Sequence, residues 1–342
     1  DIGKKYGDPR RTEIVVDEVE EINIEDLIKK EDVVVLVSNK GFVKRIPATA
    51  YRSQGRGGKG SATAKLKNDD FLEHLFIAST HDYLLFMTSE GKAYWTKVHE
   101  IPEANRIARG TPIKTLLAIS ANEEITAILS FPEFSDQTAI FMATRKGIVK
   151  KSLTSDFSNA KSRGIRAISL DNGDRLISAL LTSGKDEIVL ISRKGNALRF
   201  NEDLVRRMGR ASRGVQGIRL SNDDELAAAL RVKTGEQMLI VSENGMGKRI
   251  EYDNFSAHGR ATRGQIAYRT TEKTGEIIGA LSVTAEDDLV CITSQGNILR
   301  LDLREVPVMG KSAMGVRILN IVKPDILVGC ARVVNESAGT EE

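Results

Sequence analysis

The stretch EIVLISRKGNALRFN, residues 187–201, reads as an apolar run, a polar turn ending on Gly195, and a second extended run. A glycine placed between two β-prone runs is the chemistry of a tight hairpin, because glycine takes a positive φ without steric cost. Outward from this stretch the same pattern recurs five times. VVVLVSNKG, YLLFMTSEG, AIFMATRKG, QMLIVSENG and DLVCITSQG end on Gly41, Gly91, Gly147, Gly245 and Gly296, so the hairpin glycines lie 48 to 56 residues apart. A second strand follows each turn, such as FVKRI or ILRLD. A loop, a third strand such as IRAISL or VQGIRL, and an acidic turn such as Asp171-Asn172-Gly173-Asp174 come next. A closing apolar strand such as RLISALL or EIIGALSV completes the unit. Four antiparallel strands in about 50 residues is the size of a propeller blade. The spacing therefore predicts an all-β, six-bladed β-propeller-like fold, with an open β-solenoid as the alternative. Left-over strands around Thr12–Val16 and Leu327–Val334 are expected to clasp the first and last blades, and Glu25–Lys30 to make one helical turn. The expected division is a linker and clasp over 1–30, one six-bladed domain over 31–335, and an acidic tail over 336–342.

The loop after the second strand carries the functional signal. A second glycine recurs there: Gly60, Gly110, Gly164, Gly214, Gly264 and Gly315. Just before it stand Lys59, Arg109, Arg163, Arg213, Arg263 and Met314. Four residues before it stand Arg56, Arg106, Arg210, Arg260 and Lys311, with Lys161 one place later in the third repeat. Eleven of these twelve positions are basic and none is acidic, whereas a merely solvated face mixes lysine with glutamate. Arginine offers paired planar donors that match phosphate oxygens, and glycine leaves backbone N–H groups open to an anion. Ring symmetry would set all six loops on one edge as a curved basic band. A second band is expected four residues past each hairpin glycine: Arg45, Trp95, Lys151, Arg199, Arg249 and Arg300.

Overall charge agrees with a polyanionic partner. The chain is net +3, but residues 1–32 are net −5 and residues 336–342 net −3, so the body between them is +11. The loops hold few Asn or Gln suited to paired base contacts, and no aromatic recurs in them. Duplex backbone, bound with little sequence preference, fits better than base readout or single-strand stacking.

Other readings fail on specific residues. Gly55-Arg56-Gly57-Gly58-Lys59-Gly60 satisfies the dinucleotide Gly pattern but lacks the strand just before it and the helix after it, and Lys59 is not followed by Ser or Thr as a Walker loop requires. His74, His81, His99 and His258 show no metal-ligand spacing, and no nucleophile–base pair is evident. No apolar run approaches 18 residues, so no membrane span is expected. Cys291 and Cys330 sit in apolar runs as expected of buried thiols in a reducing cytoplasm. The chain starts at Asp1 rather than Met, as expected of a piece of a longer polypeptide.

The first loop brings a resemblance. Gln54, Arg56, Gly57, Gly58, Lys59 and Gly60 resemble the box Gln-Arg-Arg-Gly-Gly-(Arg/Lys)-Gly found in the DNA-wrapping C-terminal domain of bacterial DNA gyrase A, with Gly55 where the box has Arg and Arg52 just upstream. Asp8-Pro9-Arg10-Arg11-Thr12-Glu13-Ile14 and Val43-Lys44-Arg45 are also similar to that family. The box favours it over the related domain of topoisomerase IV. The resemblance implies a β-pinwheel, in which blades exchange strands, that wraps duplex DNA around its rim in a positive, right-handed sense. It implies a cytoplasmic, nucleoid-associated parent enzyme of two A and two B subunits that uses ATP and Mg to introduce negative supercoils. No cofactor is expected in this chain, and none of Tyr6, Tyr51, Tyr83, Tyr94, Tyr252 and Tyr268 matches the DNA-cleaving tyrosine. A propeller whose basic rim meets an acidic protein remains the alternative.

Overall fold

The computed structural model describes residues 1–7, 24–38, 40–48, 72–105, 108–120, 122–295 and 297–333. Six small antiparallel sheets are arranged as blades around a central cavity of about 1050 Å³. Blade 4 shows the plan. Glu187–Ser192 and Asn196–Asn201 form the hairpin with Glu187 opposite Asn201 and Ile191 opposite Ala197, and Leu226–Arg231 pairs on the inner side. The inner strands of all six blades line the cavity, with Phe76, Ile177, Ala228, Gly279 and Val328 among its walls.

The first strand of each hairpin is almost continuously apolar because it is covered on both faces. In blade 4, Ile188 and Leu190 pack against Phe141 and Ala143 of blade 3, while Val189 and Ile191 pack against Met238 and Ile240 of blade 5. The core is thus a series of layers between blades. Each fully buried Val, Leu or Ile in them contributes about 1.5–3 kcal/mol. The ring runs round to meet itself, since the inner strand Leu327–Val333 of blade 6 lies against Leu72–Ser79 of blade 1.

The strands pass between blades, as the resemblance implies, where the spacing alone suggests a unit closed within one repeat. The third strand of each of repeats 2 to 6 does not join its own blade. Val215–Gln216, from the fourth repeat, pairs with Ile148–Leu153 of blade 3, and Gln265–Ile266, from the fifth, pairs with Asn196–Asn201 of blade 4. The other donated strands are Thr111–Pro112, Ile165–Arg166 and Val316–Arg317, giving blades 1 to 5 four strands each. Blade 6 has three among the described residues. The donated strand is two residues long, not the six of IRAISL, because the chain then turns onto the hairpin glycine of the receiving blade. Gly195 O accepts from Ala267 N at 2.8 Å, and the carbonyls of Gly41, Gly91, Gly147 and Gly245 accept from the following repeat in the same way.

Two smaller expectations also change. Leu327–Val333 is no left-over clasp but the regular inner strand of blade 6, and Thr12–Val16 lies outside the described residues. The turn expected over Glu25–Lys30 is a 3-10 helix at Ile24–Leu27, and Ile2–Tyr6 and Ile113–Leu116 add single α-helical turns. Glu25 accepts from Lys97 Nζ at 2.6 Å, which ties this segment to blade 2 and holds the Glu25 carboxyl below its usual range.

Candidate nucleic-acid interface

The five described basic loops follow the 3-10 turns that end the second strands, and they adjoin one another around a single perimeter. Ser169 N donates to Ser212 O of the next loop, and Arg219 N to Thr262 O of the one after. Each loop ends by pressing its glycine onto the preceding blade. A Cβ on Gly264 would stand 2.4 Å from Ala197 O, and one on Gly164 would stand 2.2 Å from the Tyr94 ring. The loop glycine is therefore required by the blade joint. The sequence had suggested that it opens the backbone to an anion.

The two basic positions of each loop separate in space. The second faces outward. Arg109, Arg163, Arg213 and Arg263 are all exposed, and Arg163 and Arg263 make no side-chain ion pair with a described residue. Arg109 lies 3.8 Å over the Phe42 ring, a cation–π contact that fixes its direction. Arg213 is held by Asp171, its Nε donating to Oδ1 at 2.6 Å, and this keeps the Asp171 carboxyl below its usual range. In loop 6, Met314 takes this place, 42% exposed.

At the first position, two of the described bases brace neighbouring loops. Arg260 donates from Nε to Leu204 O and from NH1 to Gln216 O, both at 3.0 Å, and Lys311 Nζ reaches Gln265 Oε1 at 2.6 Å. Arg210 is half-buried, while Lys161 is exposed and takes a φ of 40°. Gln54, Arg56, Gly57, Gly58, Lys59, Gly60 and Arg106 lie outside the described residues.

The expected second band is a set of joints between blades, with little of it on the surface. Arg45 Nε donates to Ile101 O at 2.7 Å, Trp95 Nε1 to Ser158 O at 3.0 Å, Arg199 NH1 to Tyr252 O at 2.8 Å and Arg249 Nε to Val306 O at 2.8 Å. Lys151 Nζ donates to Gly184 O and Glu202 O, both at 2.9 Å. In every case an acceptor lies in or just after the 3-10 turn of the next repeat, so the side chain satisfies carbonyls that such a turn leaves unpaired. Lys151 and Arg249 are 3% and 7% exposed. Arg300, on blade 6, is the exposed member and pairs with Asp288.

Lys151 also faces the buried carboxylate of Glu202, whose pKa burial raises. Lys151→Ala removes the nearest countercharge and two carbonyl donations. It should cost about 3 kcal/mol in urea unfolding while leaving the salt dependence of polyanion binding unchanged. A shallower salt dependence with unaltered stability would place Lys151 on the surface site instead.

Sequence reasoning missed exposed bases beside the loops: Arg206 and Arg207 ahead of loop 4, and Arg219 and Arg269, each five residues past a loop glycine. That recurring offset was the available signal. Among the described residues, no group of three or more His, Cys, Asp or Glu is placed to hold a metal ion, and no helix is long and apolar enough to cross a membrane. Cys291 and Cys330 face each other across neighbouring strands of blade 6, both unbridged, and burial raises both thiols, Cys330 to about 12.

Comparison with known proteins agrees with this architecture. The chain matches the family described as "DNA gyrase C-terminal domain, beta-propeller" over 32–79, 82–132, 138–183, 186–233, 236–284 and 287–333, one segment per repeat. It is 57% identical to the DNA gyrase A subunit of Treponema pallidum over 98% of its own length and 41% of the relative's. It is 44% identical to the Salmonella typhimurium protein over 97% of its length and 38% of the relative's, so it spans about two fifths of such subunits. A solved DNA gyrase A C-terminal domain superimposes with a TM-score of 0.70 at 30% identity, covering 89% of this chain and all of that one. The C-terminal domain of a DNA topoisomerase IV gives a TM-score of 0.77 at 24% identity, covering 90% and 94%, which reflects the shared fold. With all six repeats matched, the chain belongs to the DNA gyrase C-terminal β-propeller family.

Proposed function

We propose that this chain binds duplex DNA along its perimeter and bends it around the ring, with no chemistry of its own. The observation that carries the reading is the row of outward arginines, Arg109, Arg163, Arg213 and Arg263, on adjoining loops of one edge. They are the side chains suited to successive phosphates of a curved duplex. Gln54, Arg56, Lys59 and Arg106 extend the row by their place in the repeat, Lys161 and Arg210 add further bases to it, and Arg260 and Lys311 stiffen it. The second band supports the rim by locking the blades, with Arg300 as its exposed base. In the parent gyrase the wrap would feed a segment to the remainder of the A subunit, partnered by the B subunit, and bias ATP-driven strand passage toward negative supercoils. Residues 1–30 would serve as the tether and 336–342 as an acidic tail, in a cytoplasmic, nucleoid-associated enzyme.

Plasmid relaxation by a type I topoisomerase with and without the chain tests this reading. A right-handed wrap leaves the recovered plasmid positively supercoiled in proportion to bound chain. Unchanged linking number at saturating protein overturns the wrapping. Failure to bind duplex, together with capture of an acidic protein, would leave the acidic-partner alternative.

A further inference from the structure

Three lysines lie beneath the rim in a pattern that neither band explains. Lys44, Lys150 and Lys248, each three residues past a hairpin glycine, are 4%, 0% and 0% exposed. They belong to blades 1, 3 and 5. The corresponding residues of blades 2, 4 and 6 are Tyr94, Leu198 and Leu299. Carbonyl oxygens of the next repeat's basic loop receive each ammonium. Lys44 Nζ donates to Asn105 O at 3.3 Å and Ala108 O at 2.8 Å. Lys150 Nζ donates to Arg210 O and, at 2.6 Å, to Ala167 O. Lys248 Nζ donates to Gly310 O, Lys311 O and Ala313 O at 3.1, 2.9 and 2.6 Å. Loop 5 rests on the apolar Leu198 instead, with the Gly264 Cβ direction 3.1 Å from its Cβ.

An ammonium has three donors and no acceptor, so it organises carbonyls and needs no partner side chain. Burial lowers the pKa of all three lysines, Lys150 and Lys248 to about 8. Each buried ammonium carries a desolvation penalty that the carbonyls it organises offset. The strand itself accepts an apolar side chain, as Leu198 and Leu299 demonstrate. The ammoniums therefore act on the loops above them.

We propose that Lys44, Lys150 and Lys248 are positioning residues for DNA binding, holding loops 2, 4 and 6 in shape from below while loop 5, over Leu198, adapts. This rests on the rim being the DNA site. Pinned loops 4 and 6 would then flank a compliant loop 5, so that a stiff duplex meets fixed anchors separated by a contact that adjusts to its groove phase.

Amide hydrogen exchange and DNA affinity test the proposal together, using Lys248→Met and Lys150→Met. In the unaltered chain without DNA, amides of 209–214 and 310–315 should exchange about tenfold more slowly than those of 259–264. Lys248→Met should bring 310–315 to the level of 259–264 and weaken duplex binding about three- to tenfold, the scale of one ordinary hydrogen bond. Equal exchange of the three loops in the unaltered chain overturns the proposal, and that measurement needs no variant. So does full DNA affinity in a folded Lys248→Met whose loop has loosened. A merely structural lysine would instead leave the affinity of the folded chain intact, whatever the change in melting temperature. If the unaltered chain fails to bind duplex, the DNA reading itself fails, whatever the exchange pattern.

Discussion

Reversing Arg163 and Arg263 together to glutamate should weaken duplex binding at about 100 mM salt by roughly 10²-fold or more, equally for all sequences. Each phosphate contact releases nearly one counterion, which at this salt is worth about 0.9 log units of affinity, and two contacts are lost before any repulsion is counted. The slope of log affinity against log salt should become shallower by about 2. These arginines are the informative pair because both are exposed and neither is paired with a described carboxylate. Arg213, by contrast, enters any contact by first leaving Asp171. Reversal of Lys233 is the control, since it lines the central cavity and pairs with Glu236. Titrations of the two proteins at several salt concentrations decide the matter. Matching losses would mean that net charge, and not the rim, governs binding.

The largest effect on stability is expected from Gly195→Ala. Gly195 turns its hairpin with a φ of +95° while accepting the chain of the next repeat, and a Cβ there would stand 2.0 Å from Tyr268 O. The substitution must strain the turn and push the fifth repeat off blade 4. Chemical denaturation should report a loss of about 3–5 kcal/mol, the range of severe overpacking combined with a forbidden backbone state. Gly173→Ala separates the two causes. Its φ of +69° is equally left-handed, but nothing lies within 4 Å, so the backbone penalty alone, about 1 kcal/mol, should remain. Similar losses at both positions would show that the close approach of the blades contributes nothing.

The fold was legible because hairpins are local. The alternation of apolar run, polar turn and glycine is written in each repeat, and its period fixed the blade count. Strand exchange was not legible from the period, because passing the third strand to the neighbouring blade leaves the spacing of every motif unchanged. The same degeneracy misplaced Arg45, Lys151, Arg199 and Arg249. A base that recurs in a duplicated unit recurs equally well facing solvent or gripping the next unit's 3-10 turn. Only its surroundings, buried for Lys151 and open to solvent for Arg263, separate the two. The described loop glycines have their Cβ positions filled by the preceding blade, a constraint that repeats in the sequence just as an open anion site would. Lys44, Lys150 and Lys248 escaped notice because their pattern repeats every second blade, and a comparison of single repeats averages it away.

The exchange of strands has a mechanical side. In the proposed wrap a bent duplex would recoil, with a stored energy on the order of 10 kcal/mol, and its pull would fall on the rim loops. Each of the five described loops begins at the 3-10 turn of its own blade and ends in a strand built into the blade before it. The load would therefore enter two sheets at once and run along their hydrogen-bonded ladders in shear, where several bonds share it. A loop rooted in one blade would hand the same pull to the outermost bond first and open that sheet like a zip. Under such a wrap, strand exchange would spread the pull on each described loop over two blades.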